Sequence, residues 1–237
     1  MESAGYVTLA RQSGLMREME MIAHNIANAA TTGFRQQGIV FSEYIQAVEN
    51  GDSLSMAAAR VKNTSQAQGI LTQTGNTLDL AIEGGGYFQL QTPDGIRLTR
   101  AGAFNVDAAG DIVTSDGHYL LDLGGAPINV PPGEANVEVA ADGTVSLGER
   151  LLGQIGVVDT PPGADLVRES GVLFRTDDPL APSTNGKILQ GHLEGSNVDA
   201  ISQLTRMIEV QRAYELGQKL LDMNDDRAKS ILQTLIK

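Results

Sequence analysis

Residues 207–235 read MIEVQRAYELGQKLLDMNDDRAKSILQTL, and this stretch decides the fold. Its apolar and small residues recur at alternating spacings of three and four, which is typical of a helix that packs along another helix. The predicted seam consists of Met207, Val210, Tyr214, Gly217, Leu221, Asn224, Ala228, Ile231 and Leu235. No proline interrupts the pattern. The sequence therefore predicts a long C-terminal helix that needs a partner.

The N-terminal segment predicts that partner. Apolar residues there fall at spacings of four, three and four, on one stripe of a helix. They are Leu15, Met19, Ile22 and Ile26. This helix is expected to end near Asn28, and Gly33 is expected to supply the positive φ of the chain reversal that follows. The C-terminal helix is expected to begin with Ser196 as its cap and Asp199 as the acidic residue of a capping box.

Between the two helices, short alternating apolar runs replace the helical period. These runs are Leu78/Leu80/Ile82, Phe88/Leu90, Ile96/Leu98, Val137/Val139, Val145/Leu147 and Ile155/Val157. Turn signals such as Pro93-Asp94-Gly95 and Asp142-Gly143 separate them at the close spacing of an all-β domain. The predicted fold class is α+β with several parts: terminal helices that pair as a coiled coil, and an antiparallel all-β domain in the middle.

The predicted division of the chain follows these patterns. Residues 1–35 form the N-terminal helix, 36–66 a connecting segment, 67–190 the β domain and 191–237 the C-terminal helix. The β domain holds 16 acidic and 6 basic residues, in a chain whose formal net charge is -12. This domain is expected to face solvent, because packing so many like charges inward would force them together at short range.

Composition argues against several partners and chemistries. Nucleic acid and anionic membrane surfaces require clustered Lys and Arg, which an acidic chain does not supply. The chain has no cysteine, so disulfides, thiolate metal sites and cysteine nucleophiles are ruled out. No run approaches the ~18 apolar residues that span a bilayer, and the start lacks the basic and apolar regions of a cleavable signal peptide. Neither membrane insertion nor such a signal is expected.

Residues that carry chemistry in other proteins have structural explanations here. The three histidines lie in separate segments without the spacing of a metal site. They are His24, His118 and His192. Gly84-Gly85-Gly86 favours a turn or bulge over a phosphate cradle. Residues 107–111, DAAGD, suggest either a calcium loop or a hairpin turn, and the missing terminal Glu of an EF-hand favours the turn. No catalytic, cofactor-binding or metal-binding residue is predicted.

Residues 23–35, AHNIANAATTGFR, resemble the N-terminal motif ANNIANxxTxGFK of flagellar rod and hook subunits. His24 replaces an Asn of that motif, and Arg35 replaces its Lys. The family's C-terminal box and middle-domain motifs have counterparts too. They are residues 193–199 (LEGSNVD), 207–215 (MIEVQRAYE), 74–82 (TGNTLDLAI) and 98–104 (LTRAGAF). The likeness therefore covers nearly the whole chain.

This resemblance implies a structural subunit and not an enzyme. It implies that the chain polymerises through its terminal helices into the hollow rod that transmits motor torque, with the helices inside and the β domain outside. The implied partners are copies of itself, other proximal-rod subunits, the distal-rod protein and the flagellar type III export apparatus. The implied location is the flagellar basal body, in the rod that spans the periplasm.

The implied assembly interface combines both helices with the two terminal motifs. Its residues are Leu15, Met19, Ile22, Asn25, Ile26, Asn28, Gly33, Phe34, Asn197, Met207, Val210, Arg212, Tyr214, Gly217, Leu221, Asn224, Ala228, Ile231 and Leu235. The modest length and residues 6–12, YVTLARQ, favour a proximal-rod subunit, with the distal-rod type as the alternative. The residues also leave open a monomer whose helices complete its own core, or a monomeric β domain that cleaves carbohydrate with two carboxylates.

Overall fold

A computed structural model describes residues 2–46, 54–131, 137–161, 163–164 and 166–235. Helix α1 spans Glu2–Ala27, and helix α2 spans Ala200–Leu235. The described strands between them are β1 Gln37–Gln46, β2 Leu54–Thr64, β3 Leu71–Gln73, β4 Leu80–Glu83, β5 Tyr87–Thr92, β6 Gly95–Thr99, β7 Phe104–Val106, β8 Ile112–Thr114, β9 Tyr119–Leu120, β10 Val137–Val139, β11 Thr144–Leu147, β12 Arg150–Gln154, β13 Val157–Asp159, β14 Val167–Ser170, β15 Leu173–Arg175, β16 Ala181–Pro182, β17 Lys187–Gln190 and β18 His192–Glu194. The predicted α+β class is confirmed.

The chain divides into two compact units. The helical unit contains α1, β1, β2 and α2, and the β unit contains Ala30–Arg35 and Gln66–Asn197. Residues 30–35 follow α1 directly in sequence, yet they belong to the β unit. The sequence pattern had assigned them to the segment of the N-terminal helix.

In the helical unit, α1 and α2 run antiparallel. The side chain of Gln12, in the first half of α1, bonds to Tyr214, whereas Asn25, near the end of α1, bonds to Gln203. Early residues of α1 therefore meet later residues of α2. The predicted pairing of the two terminal helices is present within this unit.

Residues 36–66, expected to be a connecting segment, contain the long strands β1 and β2. The two strands form an antiparallel ribbon that begins with Gln37 opposite Thr64, and both contact α1. The register shifts between Val40 and Phe41, where Arg60 is the extra residue of a bulge. A two-stranded ribbon is marginally stable by itself, so its packing on α1 supports it.

The end of α1 follows the sequence. The Asn28 side chain donates to the carbonyl of His24 at 2.9 Å and closes the last turn. Gly33 has a φ of +70°, which confirms the predicted positive φ after the helix.

The start of α2 corrects the prediction that Ser196 caps it. The helix begins at Ala200, and Asp199 is its cap. One carboxylate oxygen of Asp199 accepts the Ile201 N–H at 3.1 Å, and the other accepts the Ser202 hydroxyl at 2.5 Å. These bonds satisfy donors that a helix start leaves unpaired, and they lower the pKa of Asp199.

The β unit is built from antiparallel pairs throughout its described strands. The largest sheet has the order β14-β15-β6-β5-β9-β8-β7, and β13 joins β5 to β16. Strands β10, β11 and β12 form a second sheet, β17 pairs with β4, and β18 pairs with β3. Residues Tyr87–Leu90 of β5 are all buried, because Phe88 and Leu90 pack into one apolar cluster and Tyr87 packs into another on the opposite face of the strand.

The core of the β unit is aliphatic with a few phenylalanines. Leu80, Ile82, Phe88 and Leu90 are fully buried in it, and the rings of Phe88 and Phe104 meet edge to face at 5.5 Å. Among the described residues of the whole chain, no helix is long and apolar enough to cross a membrane.

Candidate assembly interface

One face of α2 packs against α1 within the chain. Val210 on α2 is 2% exposed, and Ile22 on α1 is 3% exposed. Seven other predicted residues of these two stripes are half-buried: Leu15, Met19, Ile26, Met207, Tyr214, Gly217 and Leu221. We call the α2 part of this surface the inner face of α2. The heptad seam thus serves the intrachain helix pair.

The remaining predicted positions on α2 do not all share this burial. Arg212 and Asn224 are exposed. Ala228, Ile231 and Leu235 lie within the bounds of α2, but their side-chain surroundings fall outside the described residues. The burial of the inner face is therefore established for the seam from Met207 to Leu221.

Gln12 of α1 lies close to Gly217 of α2. The Gln12 amide donates to the Tyr214 carbonyl at 2.9 Å. A Cβ on Gly217 would lie 2.4 Å from the amide nitrogen of Gln12, so the missing side chain makes room for this bond. Gln12 is 6% exposed, and its Oε1 is buried without a partner among the described residues.

Two further polar residues of α1 are buried against α2. Glu18 accepts from Arg206 at 2.7 and 2.8 Å, and these bonds raise the pKa of Arg206. The Asn25 side chain bonds to both backbone groups of Gln37, at 2.8 and 3.0 Å, and donates to Gln203 at 3.2 Å. Asn25 therefore connects α1, β1 and α2. The sequence predicted Asn25 as an interface residue but did not predict these contacts.

The N-terminal motif contributes to both units separately. Gly33 and Phe34 were predicted as interface residues, but they are buried inside the β unit. The Gly33 N–H donates to the Glu194 carbonyl at 2.7 Å, and a Cβ on Gly33 would lie 2.2 Å from the Ala101 nitrogen. The backbone of Asn197 donates to the Phe34 carbonyl at 3.3 Å. These residues close the β unit where the chain enters and leaves it.

Arg35, Glu194 and Arg100 form a buried ionic cluster in the same unit. The Glu194 carboxylate contacts Arg35 at 2.9 Å and Arg100 at 3.1 Å, and all three side chains are at most 4% exposed. Burial lowers the pKa of Arg100, although the nearby Glu194 carboxylate opposes that shift. Arg35 also donates to the carbonyls of Gln66 and Ala67. A guanidinium supplies enough donors for these partners, which explains the use of Arg where the family motif has Lys.

A third arginine, Arg168, packs on this cluster. Its guanidinium lies 4.4 Å from the Phe34 ring centroid and 4.6 Å from that of Phe174. It donates to the Arg35 carbonyl at 2.5 Å, and burial lowers its pKa to about 10. The segment before the β strands is thereby fixed by aromatic stacking as well as by charge.

The side of α2 that lies outside its inner face carries further large apolar residues. Ile208 and Val210 lie about 200° apart around the helix, at about 100° per residue. Six large side chains on this side are 45% to 77% exposed: Ile201, Leu204, Ile208, Leu216, Leu220 and Met223. We call these six residues the outer stripe.

Comparisons with known proteins agree with the motifs. The model described as "Flagellar hook protein FlgE/F/G D1 domain" matches residues 81–147, and "Flagellar basal body rod FlgEFG protein C-terminal" matches residues 189–234. The flagellar basal-body rod protein FlgF of Mesorhizobium japonicum is 36% identical over 99% of this chain and 98% of its own length. FlgF of Caulobacter vibrioides is 38% identical over 100% and 99%. The chain belongs to the flagellar basal-body rod protein family.

The resemblance inferred from the motifs is therefore confirmed, as is the role of a structural rod subunit. A flagellar basal-body rod protein FlgG, that of Bacillus subtilis, is 31% identical over 98% of this chain and 97% of its own length. The two FlgF proteins named above, at 36% and 38% identity, are more similar to this chain than this FlgG and favour the FlgF type. The two family models match residues 81–147 of the β unit and residues 189–234, which include most of α2.

A groove of about 770 Å³ in the β unit bears on the carbohydrate-cleaving interpretation. Three carboxylates line it: Asp94, Asp116 and Glu169. Arg97 and Arg175 engage Glu169 at 2.5 and 3.1 Å, and the described lining contains no Phe, Tyr or Trp. In the described part of the chain, no group of three or more His, Asp or Glu side chains is placed to hold a metal ion.

Sequence reasoning missed three groups of residues at these surfaces. Gln12 and Glu18 lie three residues before and after Leu15, so their spacing within the apolar stripe was an available signal. The outer stripe was also visible as a second set of apolar residues on α2. Glu194 had no such signal, because its partners lie in distant segments of the sequence.

Proposed function

We propose that this chain is a proximal-rod subunit that polymerises through its terminal helices, with copies of itself and with other rod subunits. The outer stripe of α2 carries this proposal. It presents large apolar side chains on the helix face that α1 does not use. Large apolar side chains exposed together on one side of a helix are typical of protein interaction sites.

The energetics favour covering the outer stripe with other subunits. The 36 residues of α2 extend over about 54 Å, and full burial of one large apolar side chain is worth about 1.5–3 kcal/mol. Two of the partly exposed apolar residues lie on α1, Leu9 and Met16. A neighbouring helix pair that covers these side chains would gain more than the intrachain pair alone provides.

The family match favours a polymer over a closed dimer. The inner face of α2 is occupied by α1, and in the polymer a neighbour binds the outer stripe with a different surface of its own. Contacts between two different surfaces generate rings or open helical filaments. A rod is the open case, and the family match supports it.

The β unit forms the outer layer of this rod. Residues 67–190 carry 16 acidic and 6 basic residues, which suits a surface in contact with water and salt. The chain reaches the basal body through the flagellar type III export apparatus. Family membership supports the basal-body location.

The chain performs no catalysis in this proposal. The carboxylate Glu169 in the groove is held by two arginines, which does not suit the free acid and base of a glycosidase. The distal-rod type remains the second candidate, because FlgG proteins match almost the whole chain. Complementation of motility distinguishes the two. A proximal-rod subunit should restore motility to a strain that lacks its proximal-rod protein, but not to one that lacks its distal-rod protein.

The outer stripe is tested with Leu216→Asp and a matched control, Leu151→Asp. Both leucines are 67% exposed, but Leu151 lies on β12 of the β unit. We expect both variants to keep the thermal unfolding of the wild-type monomer, since neither residue is buried. Leu216→Asp should be absent from isolated basal bodies, and Leu151→Asp should be present at the wild-type level. Normal incorporation of Leu216→Asp would show that the outer stripe is not an assembly surface.

A further inference from the structure

We propose that the Glu18–Arg206 ion pair, with the amides of Gln12 and Asn25, selects which of the two apolar faces of α2 is occupied by α1. This inference deepens the proposed self-association and rests on it, because it explains how the outer stripe stays available to neighbours. The residues concerned all belong to the helical unit.

The choice of face is a real problem for this helix. The inner face offers the large side chains of Met207, Val210, Tyr214 and Leu221, and the outer stripe offers six more. Apolar burial is non-directional and depends on area. Area alone therefore does not fix which side α1 occupies, and a directional interaction is needed to choose the inner face.

The buried polar residues of α1 provide that direction. Glu18 is 7% exposed, and its carboxylate accepts two bonds from the Arg206 guanidinium. A carboxylate buried without a cation is strongly unfavourable. If α1 moves away from Arg206, the Glu18 carboxylate can stay buried without its cation, which is unfavourable. Otherwise it must become exposed to water, which breaks the contact between the helices.

The side-chain amides of Gln12 and Asn25 make directional hydrogen bonds to α2 that the outer stripe does not offer. Gln12 reaches the Tyr214 carbonyl only because Gly217 has no side chain, whereas the stripe has Leu216 and Leu220 at the corresponding height. Asn25 is 1% exposed and places one bond on Gln203 of α2. The three contacts occur in antiparallel order along both helices, so together they define one face and one register. A single polar pair at a helix interface is known to specify register in this manner.

The absence of cysteine makes a direct test possible in the full-length chain. One reporter, Val210→Cys, lies on the inner face, and the other, Leu216→Cys, lies in the outer stripe. The rates of thiol modification are measured for each reporter at a dilution where sedimentation shows only monomer. In the otherwise native chain, the outer reporter should react at least tenfold faster than the inner one.

The decisive variant is Glu18→Leu, with Glu20→Leu as its control. Glu20 is exposed on the same helix, so the control adds the same apolar side chain away from α2. If the ion pair selects the face, Glu18→Leu should reduce the ratio of the two rates at least fivefold, because α1 then also occupies the outer stripe. If the pair were only stabilising, the added apolar side chain would leave the ratio unchanged or increase it. An unchanged or increased ratio overturns the proposal.

A charge exchange supplies the rescue. Glu18→Arg should lower the ratio of rates through repulsion from Arg206, and Glu18→Arg with Arg206→Glu should restore it to within twofold of the native value. Failure of the exchange to restore the ratio also overturns the proposal. These rates are measured on monomers, so their outcome is independent of whether the chain incorporates into rods.

Discussion

The helical unit and the β unit are stabilised in different ways. The β unit buries a continuous apolar cluster, including Leu80, Phe88 and Leu120, together with the Arg35–Glu194–Arg100 ionic cluster. In the helical unit, the fully buried hydrophobic side chains among the described residues are Ile22 and Val210. The buried polar side chains described in this unit are Gln12, Glu18, Asn25 and Gln37. The β unit therefore has an apolar core of its own, whereas we expect neighbouring subunits to cover the exposed apolar surface of the helical unit.

This difference separates two roles of the contacts in the helical unit. Polar contacts between α1 and α2 add little net stability, because each replaces bonds to water, but they are costly to arrange wrongly. The outer stripe then supplies apolar area when another subunit arrives. The polar contacts on the inner face of α2 thus specify how the two helices pair. The apolar side chains of the outer stripe would stabilise the contact with a neighbouring subunit.

The largest effect is expected in the β unit, from Glu194→Gln. This change removes the carboxylate between Arg35 and Arg100 and leaves both cations buried, which should reduce the free energy of unfolding by about 3–5 kcal/mol. Urea unfolding followed by circular dichroism in the β region measures it. Glu138→Gln, at an exposed position of β10, removes the same charge and should change stability by less than about 0.5 kcal/mol.

A loss of under about 1 kcal/mol for Glu194→Gln would contradict this account. In that case the ionic cluster would not hold the segment Ala30–Arg35 in the β unit. The contrast between the two units would then rest on apolar burial alone.

An intermediate effect is expected on the inner face, from Leu221→Asp. Leu221 is half-buried, so the change should cost the helix pair up to about 1.5–3 kcal/mol and add a carboxylate to the seam. We expect the variant to retain the unfolding transition of the β unit but to be secreted without incorporation, which leaves cells non-motile. Leu221→Met should be tolerated. The measurement is the amount of secreted subunit relative to rod-bound subunit.

Normal assembly of the Leu221→Asp variant would show that the inner face does not contribute to the rod. Loss of the β-unit transition in the same variant would show that the two units do not unfold separately. Either result would weaken the comparison between them.

The spacing of apolar residues predicted the two helices and many of the strands, because it follows from the local geometry of the backbone. A helix with one buried face repeats its apolar residues at three and four, and a half-buried strand alternates them. The ribbon of β1 and β2 was missed, although Asn50-Gly51 between the two strands in sequence is a common hairpin signal. Here the rule was available but was not applied.

Other features were beyond local rules. Glu194 acquires its role from Arg35 and Arg100, which are 159 and 94 positions away. Sequence spacing cannot reveal such a meeting, since it depends on how the strands pair. The capping error had a simpler cause. Both Ser196 and Asp199 are good caps, and only the hydrogen bonds to Ile201 and Ser202 show which of them is used.

The smallest effect concerns the pH dependence of the start of α2. The pKa of Asp199 is lowered by bonds from the Ser202 hydroxyl and the Ile201 N–H, so the folded state favours the charged carboxylate. A carboxyl group with a lowered pKa stabilises the fold above its unfolded pKa of about 3.9, and this contribution is lost as the pH falls through the folded value. We therefore expect the amides of Ile201 and Ser202 to lose hydrogen-exchange protection as the pH falls below about 4, while the amides of β5 stay protected. Asp199→Asn keeps an acceptor for the Ile201 N–H but does not titrate, so its protection should be nearly constant over this range. Equal loss in both variants would mean that the first turn of α2 opens for a reason other than the titration of its cap.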